Sequence, residues 1–403
     1  MHWIKHIQWK KVSIVAIFFV IVLVVCLFLL ESLVRMTPLG NIVDRPHESD
    51  NYYEEVPERV IDIRPNVEDG EMGFYGESFP IWSNELGCFD ETYEGEEPFI
   101  YLGGDSLTWS YAPFHDKWGT RVEDVFGIRV LKCAVSASGT YHQYLKATEI
   151  LSKYPNPKVI MIGYFAQNDA LDDYYFPQFV YREGQRVDNP TPGKMPTAET
   201  YTQLDQKLSY FKSYCSTTAP NNPLFQRIKC FFYRHSVLYN VTANGIKTLL
   251  GKEVPQNGSI FPEPPEEAYV AHFEAIIDMQ KLARQQGAEL VFVMIPSREE
   301  IYPELFGVAS TTAKNRALEF FKKQNIKHVD AAPYFKEVAQ KRLEEEKGEP
   351  GDLYWPVEWH LNVRGNLATA YIAAQYLLEQ GIITKVKDVQ KKLAELEQEI
   401  YAE

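Results

Sequence analysis

The sequence lacks the cysteine and histidine clusters from which metal and redox sites are built. Its five cysteines form no CxxC pair and no cluster with histidine. We therefore expect neither a metal ion nor a cofactor. No internal repeat is visible, and a chain of 403 residues, 45% of them hydrophobic, is long enough to bury one large core with attachments.

An excess of positive charge is also absent. The formal net charge is −14 at pH 7, and it becomes −17 for residues 31–403 once Lys5, Lys10 and Lys11 are left out. Such an acidic chain does not favour nucleic acid or an anionic membrane surface as its main partner. Acidity alone identifies no substrate.

One long apolar run, residues 12–30, is present near the N-terminus. Its nineteen residues are enough for a helix to cross a hydrocarbon core of about 30 Å. Lysines precede the run and mainly acidic residues follow it, so the positive-inside rule keeps residues 1–11 in the cytoplasm. Residues 31–35 offer no cleavage site of the A-x-A type. We expect a retained single-pass anchor in the cytoplasmic membrane and an extracytoplasmic domain.

The rest of the chain divides into segments that differ in amino-acid composition and hydrophobic pattern. Residues 31–97 are rich in Pro, Gly, Asp and Glu, which suits a stalk and a segment that wraps a domain. From residue 98 to 382, short apolar runs alternate with helical patterns, except in an insertion at 174–264 that we expect to shape the substrate side. The tail, 383–403, has apolar residues at steps of three and four, which predicts a surface helix packed on its own domain, with self-association as the alternative.

The alternation predicts an α/β fold with a parallel sheet and helices on both faces. The predicted strands are Pro98–Leu102, one within Val125–Val135, Lys158–Ile162, Glu289–Ile295 and His328–Asp330. The predicted helices are Tyr141–Tyr154, Glu266–Gln286, Thr312–Gln324 and Arg364–Gln380.

Four cysteines follow the apolar run and would face an oxidising compartment. Cys215 and Cys230 lie in a polar, loop-like region, where they could pair with each other. Cys133 lies in an apolar strand, so we expect a buried thiol there. No partner is predicted for Cys88.

Gly104-Asp105-Ser106-Leu107 directly follows the first predicted strand. A serine at this junction can present its hydroxyl above the carboxyl ends of a parallel sheet, where such folds bind ligands. Taken alone, such a tetrad is more often the capped start of a helix, since Asp and Ser both cap well.

Two later blocks favour the catalytic interpretation. Gly163 to Asp169, with Asn168 inside it, follows the third strand, and Trp359-His360-Leu361-Asn362 precedes the last helix. In order, spacing and element type the three blocks resemble the SGNH (GDSL) hydrolase superfamily. The resemblance implies a three-layer α/β/α flavodoxin-like sandwich and acyl-ester chemistry. It also implies that Ser106 is the nucleophile and an oxyanion donor through its amide, that Asn168 is a second donor and that His360 is the base.

This sequence departs from the family pattern at two places. The glycine of the second block, an oxyanion donor through its N–H, aligns with Ala137, and Gly139 lies two residues further on. The acid that orients the base usually stands three residues before the histidine, where this chain has Val357. Glu358, two residues before His360, is our choice for that acid, with Asp352 as the alternative.

An anchored, outward-facing domain of this kind looks like the bacterial proteins that modify cell-surface polysaccharides. We therefore expect hydrolysis or transfer of an acyl group, with acetyl as the expected group, on a surface carbohydrate, and a multispanning membrane acyltransferase as a candidate partner. An esterase or lipase for small or lipid esters is the enzymatic alternative. The non-enzymatic alternative is a degenerate scaffold or glycan-binding subunit.

Overall fold

A computed structural model describes residues 22, 25–33, 47–49, 52–56, 59–74, 77–95, 98–175, 179–182, 185–188, 263–264, 266–306, 311–345, 347–348, 351–355, 359–384 and 387–402. The chain divides into two compact units. The larger comprises Glu48–Met72, Ser78–Ser209 and Pro255–Glu403, and it contains the central sheet. The smaller comprises Met1–His47, Gly73–Glu77 and Tyr210–Val254.

Five parallel strands form the central sheet. In chain order they are Phe99–Gly104, Arg129–Lys132, Val159–Tyr164, Glu289–Met294 and Lys327–Asp330. Their spatial order is second, first, third, fourth and fifth, which is the order of flavodoxin-like doubly wound sheets. The first and third strands are neighbours, with Gly104 opposite Gly163. The crevice outside their carboxyl ends is the usual ligand site of this topology.

Side chains alternate between two apolar cores, one on each face of the sheet. In the first strand Ile100 and Leu102 enter one core, while Phe99 and Tyr101 enter the other. The first core is covered by helices Trp118–Phe126, Ala332–Glu344, Val363–Glu379 and Val389–Tyr401. The second is covered by Thr140–Lys153, Glu266–Gln285 and Thr312–Gln324. This three-layer arrangement confirms the predicted α/β fold with a parallel sheet.

Most predicted elements are found within one or two residues of their predicted ends. Three helices longer than one turn were not predicted: Trp118–Phe126, Asp169–Tyr175 and Ala332–Glu344. The last of them has Pro333 in its first turn, a position that proline favours because its missing N–H needs no partner there. Single-turn helices lie at Ser106–Trp109, Phe114–Asp116, Arg298–Ile301 and Pro303–Phe306.

Five short strands lie in the segment that composition had marked as stalk and wrapping. They are His47–Glu48, Tyr53–Val56, Val60–Ile63, Gly70–Phe74 and Glu77–Ile81. The segment is fastened to helix Thr140–Lys153, because Lys146 donates to Asp62 and to Gly87 O, the latter at 2.7 Å. Burial alone would raise the pKa of the Asp62 carboxyl, but Lys146 and Arg59 outweigh it and lower that pKa. The parts of this segment around Asp62 and Gly87 are therefore integral to the larger unit.

A disulfide joins Cys88 to Cys133. The prediction of a free thiol at Cys133 is wrong, although its burial is confirmed, since both half-cystines are at most 2% exposed. The two residues are 45 positions apart, and Cys88 lies in an irregular stretch, so nothing in the local pattern marks them as a pair. Cys215 and Cys230 lie outside the described residues.

The described part of the predicted anchor is residue 22 and residues 25–30, which are helical with exposed apolar side chains. Among the described residues, no helix combines the length and apolar character needed to cross a membrane. The prediction of a span at 12–30 falls mostly outside the described residues.

The C-terminal helix Val389–Tyr401 packs on its own domain. Its apolar seam, Val389, Leu393, Leu396 and Ile400, is buried in the first core. Arg342, only 1% exposed, donates to the carbonyls of Ile400 and Ala402 at the end of this helix. Of the insertion, the described residues include the antiparallel pair Phe179–Arg182 and Gln185–Asp188.

Candidate active site

Ser106 lies at a sharp turn between the first strand and a single-turn helix, Ser106–Trp109. Gly104 has a φ of 150°, and a Cβ there would stand 2.2 Å from Thr108 Oγ1 and 2.9 Å from Gly163 O. Asp105 caps the helix, since its Oδ1 accepts a hydrogen bond from Leu107 N at 2.9 Å. Both readings of the tetrad therefore hold: it is a capped helix start, and it places Ser106 at the carboxyl edge of the sheet.

His360 Nε2 lies 2.8 Å from Ser106 Oγ. Both residues are 5% exposed. The imidazole is flanked by the rings of Trp359 and Tyr111, with centroid distances of 3.8 Å and 4.4 Å. The backbone on this side is fixed as well, because Trp355 N donates to His360 O at 3.0 Å. The structure thus brings the predicted nucleophile and base into hydrogen-bond reach, although 254 positions separate them.

Asn168 follows the third strand and is tied to the residue beside the nucleophile. Its Nδ2 donates to Asp105 Oδ2 at 3.1 Å. Burial raises the pKa of the Asp105 carboxyl, and hydrogen bonds from Asn168 and the Leu107 amide oppose that rise. A side-chain amide has two N–H bonds, and the second one of Asn168 has no acceptor among the described residues. It can donate to an oxyanion at Ser106.

Ala137 adopts the left-handed conformation, which glycine enters more readily than other residues. Its φ is 59°, a region that costs an L-residue about 1–2 kcal/mol. The Ala137 side chain is exposed, and its amide has no acceptor among the described residues. The alanine therefore retains its N–H in a conformation that glycine would adopt without strain. We call residues 136–139 the oxyanion loop, because they contain the predicted oxyanion donor Ala137 and the other candidate, Gly139.

Gly139, the other candidate in this loop, has an extended backbone with φ −80°. A Cβ there would stand 2.2 Å from Asp173 Oδ1. The glycine is required by this close approach. Among the described residues, no backbone hydrogen bond joins Gly139 to Ser106 or His360.

Asp352, the alternative orienting acid, is bound to two arginines. Its Oδ2 accepts from Arg342 Nε at 2.7 Å and from Arg364 Nη1 at 3.2 Å, and its Oδ1 accepts from the Tyr302 hydroxyl at 3.3 Å. The Asp352 carboxylate thus binds Arg342, whose guanidinium also donates to the carbonyls at the end of the C-terminal helix. Glu358, our first choice, lies outside the described residues.

Sequence reasoning missed three residues that support the site. Asp105 was read only as a cap, although it also holds Asn168. Lys117, 3% exposed, donates to the carbonyls of Trp109 and Ser110 at the end of helix Ser106–Trp109. Trp359 precedes His360 directly and stacks on it. For Lys117 the sequence offers no signal, whereas the tryptophan beside the histidine was visible.

Comparison with known proteins gives the following. The sequence matches no protein-family model, and no curated protein is similar enough to count as a relative. Among solved structures, a Bacillus subtilis protein, YxiM, is 14% identical to this chain, with a TM-score of 0.38. The alignment covers 78% of this chain and 61% of the YxiM chain. This chain therefore spans less than two thirds of YxiM.

Two further solved structures are enzymes or enzyme-family members by their descriptions. A lipolytic protein of the G-D-S-L family from Veillonella parvula is 11% identical, with a TM-score of 0.34, covering 70% of this chain and 96% of its own. An acetyl xylan esterase from Geobacillus stearothermophilus is 12% identical, with a TM-score of 0.35, covering 72% and 98%. The chain's neighbours among solved structures thus include G-D-S-L family proteins and acetyl xylan esterases.

Proposed function

We propose that this chain is a serine acyl-ester hydrolase or O-acyltransferase that works through an acyl-enzyme on Ser106. The observation that carries the proposal is the 2.8 Å contact between Ser106 Oγ and His360 Nε2 at the carboxyl edge of the sheet. A serine hydroxyl is a weak nucleophile until an adjacent base takes its proton, and this pair supplies both groups.

The first half of the reaction forms the acyl-enzyme. Ser106 Oγ attacks the acyl carbon while His360 Nε2 accepts its proton, and the carbonyl oxygen becomes the oxyanion. The amides of Ser106 and Ala137 and the side chain of Asn168 donate hydrogen bonds to this oxygen. The Ser106 amide is the first N–H of its helix, which has no partner within the helix. The oxyanion then collapses, the bond to the leaving alcohol breaks, and His360 returns the proton to that alcohol.

The second half removes the acyl group. His360 accepts a proton from water or from a sugar hydroxyl, whose oxygen attacks the acyl carbon, and Ser106 leaves with the proton that His360 returns. Water gives hydrolysis, and a sugar gives transfer, because both acceptors meet the same intermediate. We assign Glu358 as the acid that holds His360 Nδ1–H, since that tautomer leaves Nε2 free to accept from Ser106.

The proposed location is the outer side of the cytoplasmic membrane, with residues 12–30 as anchor. Two observations support it: the apolar run with lysines before it, and the Cys88–Cys133 disulfide, which is typical of proteins in oxidising compartments. From that location we propose an O-acetylated cell-surface polysaccharide or glycoconjugate as the substrate.

Acetate release tests the proposal. The purified chain should hydrolyse 4-nitrophenyl acetate and release acetate from an acetylated polysaccharide, and Ser106→Ala should do neither. Adding a non-acetylated oligosaccharide should reveal whether acetyl is transferred as well. If wild type and Ser106→Ala release acetate at the same rate, the proposal fails. Binding of the polysaccharide without any turnover would instead support a glycan-binding subunit.

A further inference from the structure

A second histidine, His272, is hydrogen-bonded at both ring nitrogens and takes no part in the proposed reaction. It lies in helix Glu266–Gln285 and is fully buried. Its Nδ1 donates to Asp173 Oδ2 at 2.7 Å, and its Nε2 lies 2.8 Å from the Tyr164 hydroxyl. Burial raises the pKa of the Tyr164 phenol well above its ordinary value, so the phenol stays protonated and donates to Nε2.

The carboxylate of Asp173 also supports the oxyanion loop. Its Oδ1 accepts from Tyr141 N at 2.8 Å, in the first turn of the helix that follows the loop. Gly139 lies against the same carboxylate, because a Cβ there would stand 2.2 Å from Asp173 Oδ1 and 2.7 Å from Asp173 N. The loop and Asp173 are thus in direct contact, with no space for a side chain between them.

Asp173 also lies on the segment that carries Asn168. It lies in helix Asp169–Tyr175, which begins directly after Asn168, and Asp172 N donates to Asn168 O at 2.7 Å. Tyr164, at the far end of the hydrogen-bonded chain, is the last residue of the strand that leads to Asn168. One carboxylate therefore connects the segment that carries the Asn168 donor to the loop that carries the Ala137 donor.

We propose that Asp173, held by His272 and Tyr164, is a positioning residue that sets the placement of the Ala137 amide relative to the Asn168 amide. This inference rests on the proposed function. Oxyanion donors stabilise the transition state because they are in place before charge develops, and a misplacement of about 1 Å can cost about 10²-fold in rate. A buried carboxylate with two fixed partners is suited to hold that placement.

Turnover and ligand binding test the inference together. Asp173→Asn keeps the size of the side chain and removes its charge, and His272→Gln removes the ring that holds it. In both variants kcat for 4-nitrophenyl acetate should fall by about 10- to 100-fold, with KM little changed. Affinity for a boronic acid that forms a tetrahedral adduct on Ser106 should fall by the same factor. Tyr164→Phe, which removes only the hydroxyl, should give a smaller loss in the same direction.

Asp62→Asn is the matched control. Asp62 is also a buried carboxylate, and it pairs with Lys146 on the helix that contains Tyr141, but it makes no contact with the oxyanion loop in the described structure. Its kcat per folded molecule should match wild type. An equal loss of kcat in Asp62→Asn would overturn the inference, since the effect would then be general loosening of the fold.

Hydrogen exchange of peptides covering residues 134–141 gives a readout that does not need turnover. Exchange should accelerate in Asp173→Asn and stay as in wild type in Asp62→Asn. Unchanged exchange, or unchanged kcat and boronic acid affinity in a folded Asp173→Asn variant, would overturn the positioning role. If wild type itself neither turns over nor binds the boronic acid, the proposed function fails, and the exchange result alone decides whether Asp173 sets the loop.

Discussion

Two of the histidines that the structure describes are hydrogen-bonded to a hydroxyl group, and they differ in their exposure to solvent. His360 and its partner Ser106 are each 5% exposed, whereas His272 is 0% and its partner Tyr164 is 2% exposed. His272 has a carboxylate, an imidazole and a hydroxyl in a row, which is the order of groups in a catalytic triad. The His360 group has the imidazole and the Ser106 hydroxyl at the carboxyl edge of the sheet, which is the usual ligand site of such folds.

The comparison shows that the order of groups does not make a catalytic site. The Tyr164 phenol is enclosed, and burial raises its pKa, so it is neither reachable by a substrate nor ready to lose its proton. Ser106 sits on a sharp turn that presents its hydroxyl at the sheet edge. We therefore assign chemistry to the His360 pair and support of the oxyanion loop to the His272 group.

Removing either histidine should separate these roles most sharply. Ser106→Ala and His360→Ala should each lower kcat by about 10⁶-fold, as loss of a nucleophile or base does in serine hydrolases. His272→Gln should cause only the much smaller loss given above. Steady-state kinetics on an activated acetyl ester measures both effects. A greater loss in His272→Gln than in His360→Ala would invert the assignment.

The orienting acid is the next test, since it completes the His360 group. Glu358→Gln should lower kcat by up to about 10⁴-fold, because His360 would lose the partner that fixes its tautomer. Asp352→Asn should change kcat little and instead lower the free energy of unfolding by about 3 kcal/mol, because the buried Arg342 guanidinium loses its carboxylate partner and keeps only backbone carbonyls as acceptors. Kinetics and denaturant titration distinguish the two. If the Asp352 variant is the inactive one, the acid is Asp352.

Oxyanion stabilisation should give an intermediate effect. Asn168→Ala should lower kcat by about 10²- to 10³-fold through loss of one donor. Combined with Asp173→Asn, the losses should be less than additive, since both changes act on one oxyanion hole. Full additivity in this double-mutant cycle would mean that Asp173 does not act through the oxyanion hole.

The smallest effect is expected at Ala137. Alanine at a φ of 59° is strained by about 1–2 kcal/mol, and glycine removes this strain. Glycine loses about 0.5–1 kcal/mol more backbone entropy on folding, which is the smaller effect. Ala137→Gly should therefore raise the free energy of unfolding by about 0.5–1 kcal/mol. The backbone N–H stays in place, so kcat should remain close to wild type. Thermal unfolding and kinetics measure these two quantities. A lowered stability would mean that the Ala137 side chain makes a contact worth more than the strain.

The centre of the sheet could be predicted from sequence because strands Phe99–Gly104, Val159–Tyr164 and Glu289–Met294 are largely apolar runs, and the first two contain glycine at or near their ends. Strand Val159–Tyr164 is buried along its whole length, which is why it reads as a continuous apolar block. The positions of Ser106 and Asn168 follow from the same logic, since each comes directly after such a strand. Helix Thr312–Gln324 was predicted to the residue.

The remaining features depend on contacts between distant parts of the chain. Asp173 and His272 are 99 positions apart, on either side of the insertion, and neither has a local pattern that marks it. Cys88 and Cys133 were equally unmarked. Asp352 was a reasonable candidate by its spacing from His360, but Arg342 and Arg364 converge on it in the fold. The local sequence pattern predicts the type of each element and the motifs, whereas the partners of residues such as Asp173, Cys88 and Asp352 depend on how distant segments pack together.

The central claim, that Ser106 is activated by His360, is tested most directly by covalent labelling. Incubation with a fluorophosphonate followed by intact-mass measurement should give one adduct, which peptide mapping should place on Ser106. His360→Ala should slow labelling severely, Ser106→Ala should abolish it, and His272→Gln should slow it only modestly. An adduct on another residue, or labelling of His360→Ala at the wild-type rate, would contradict the account.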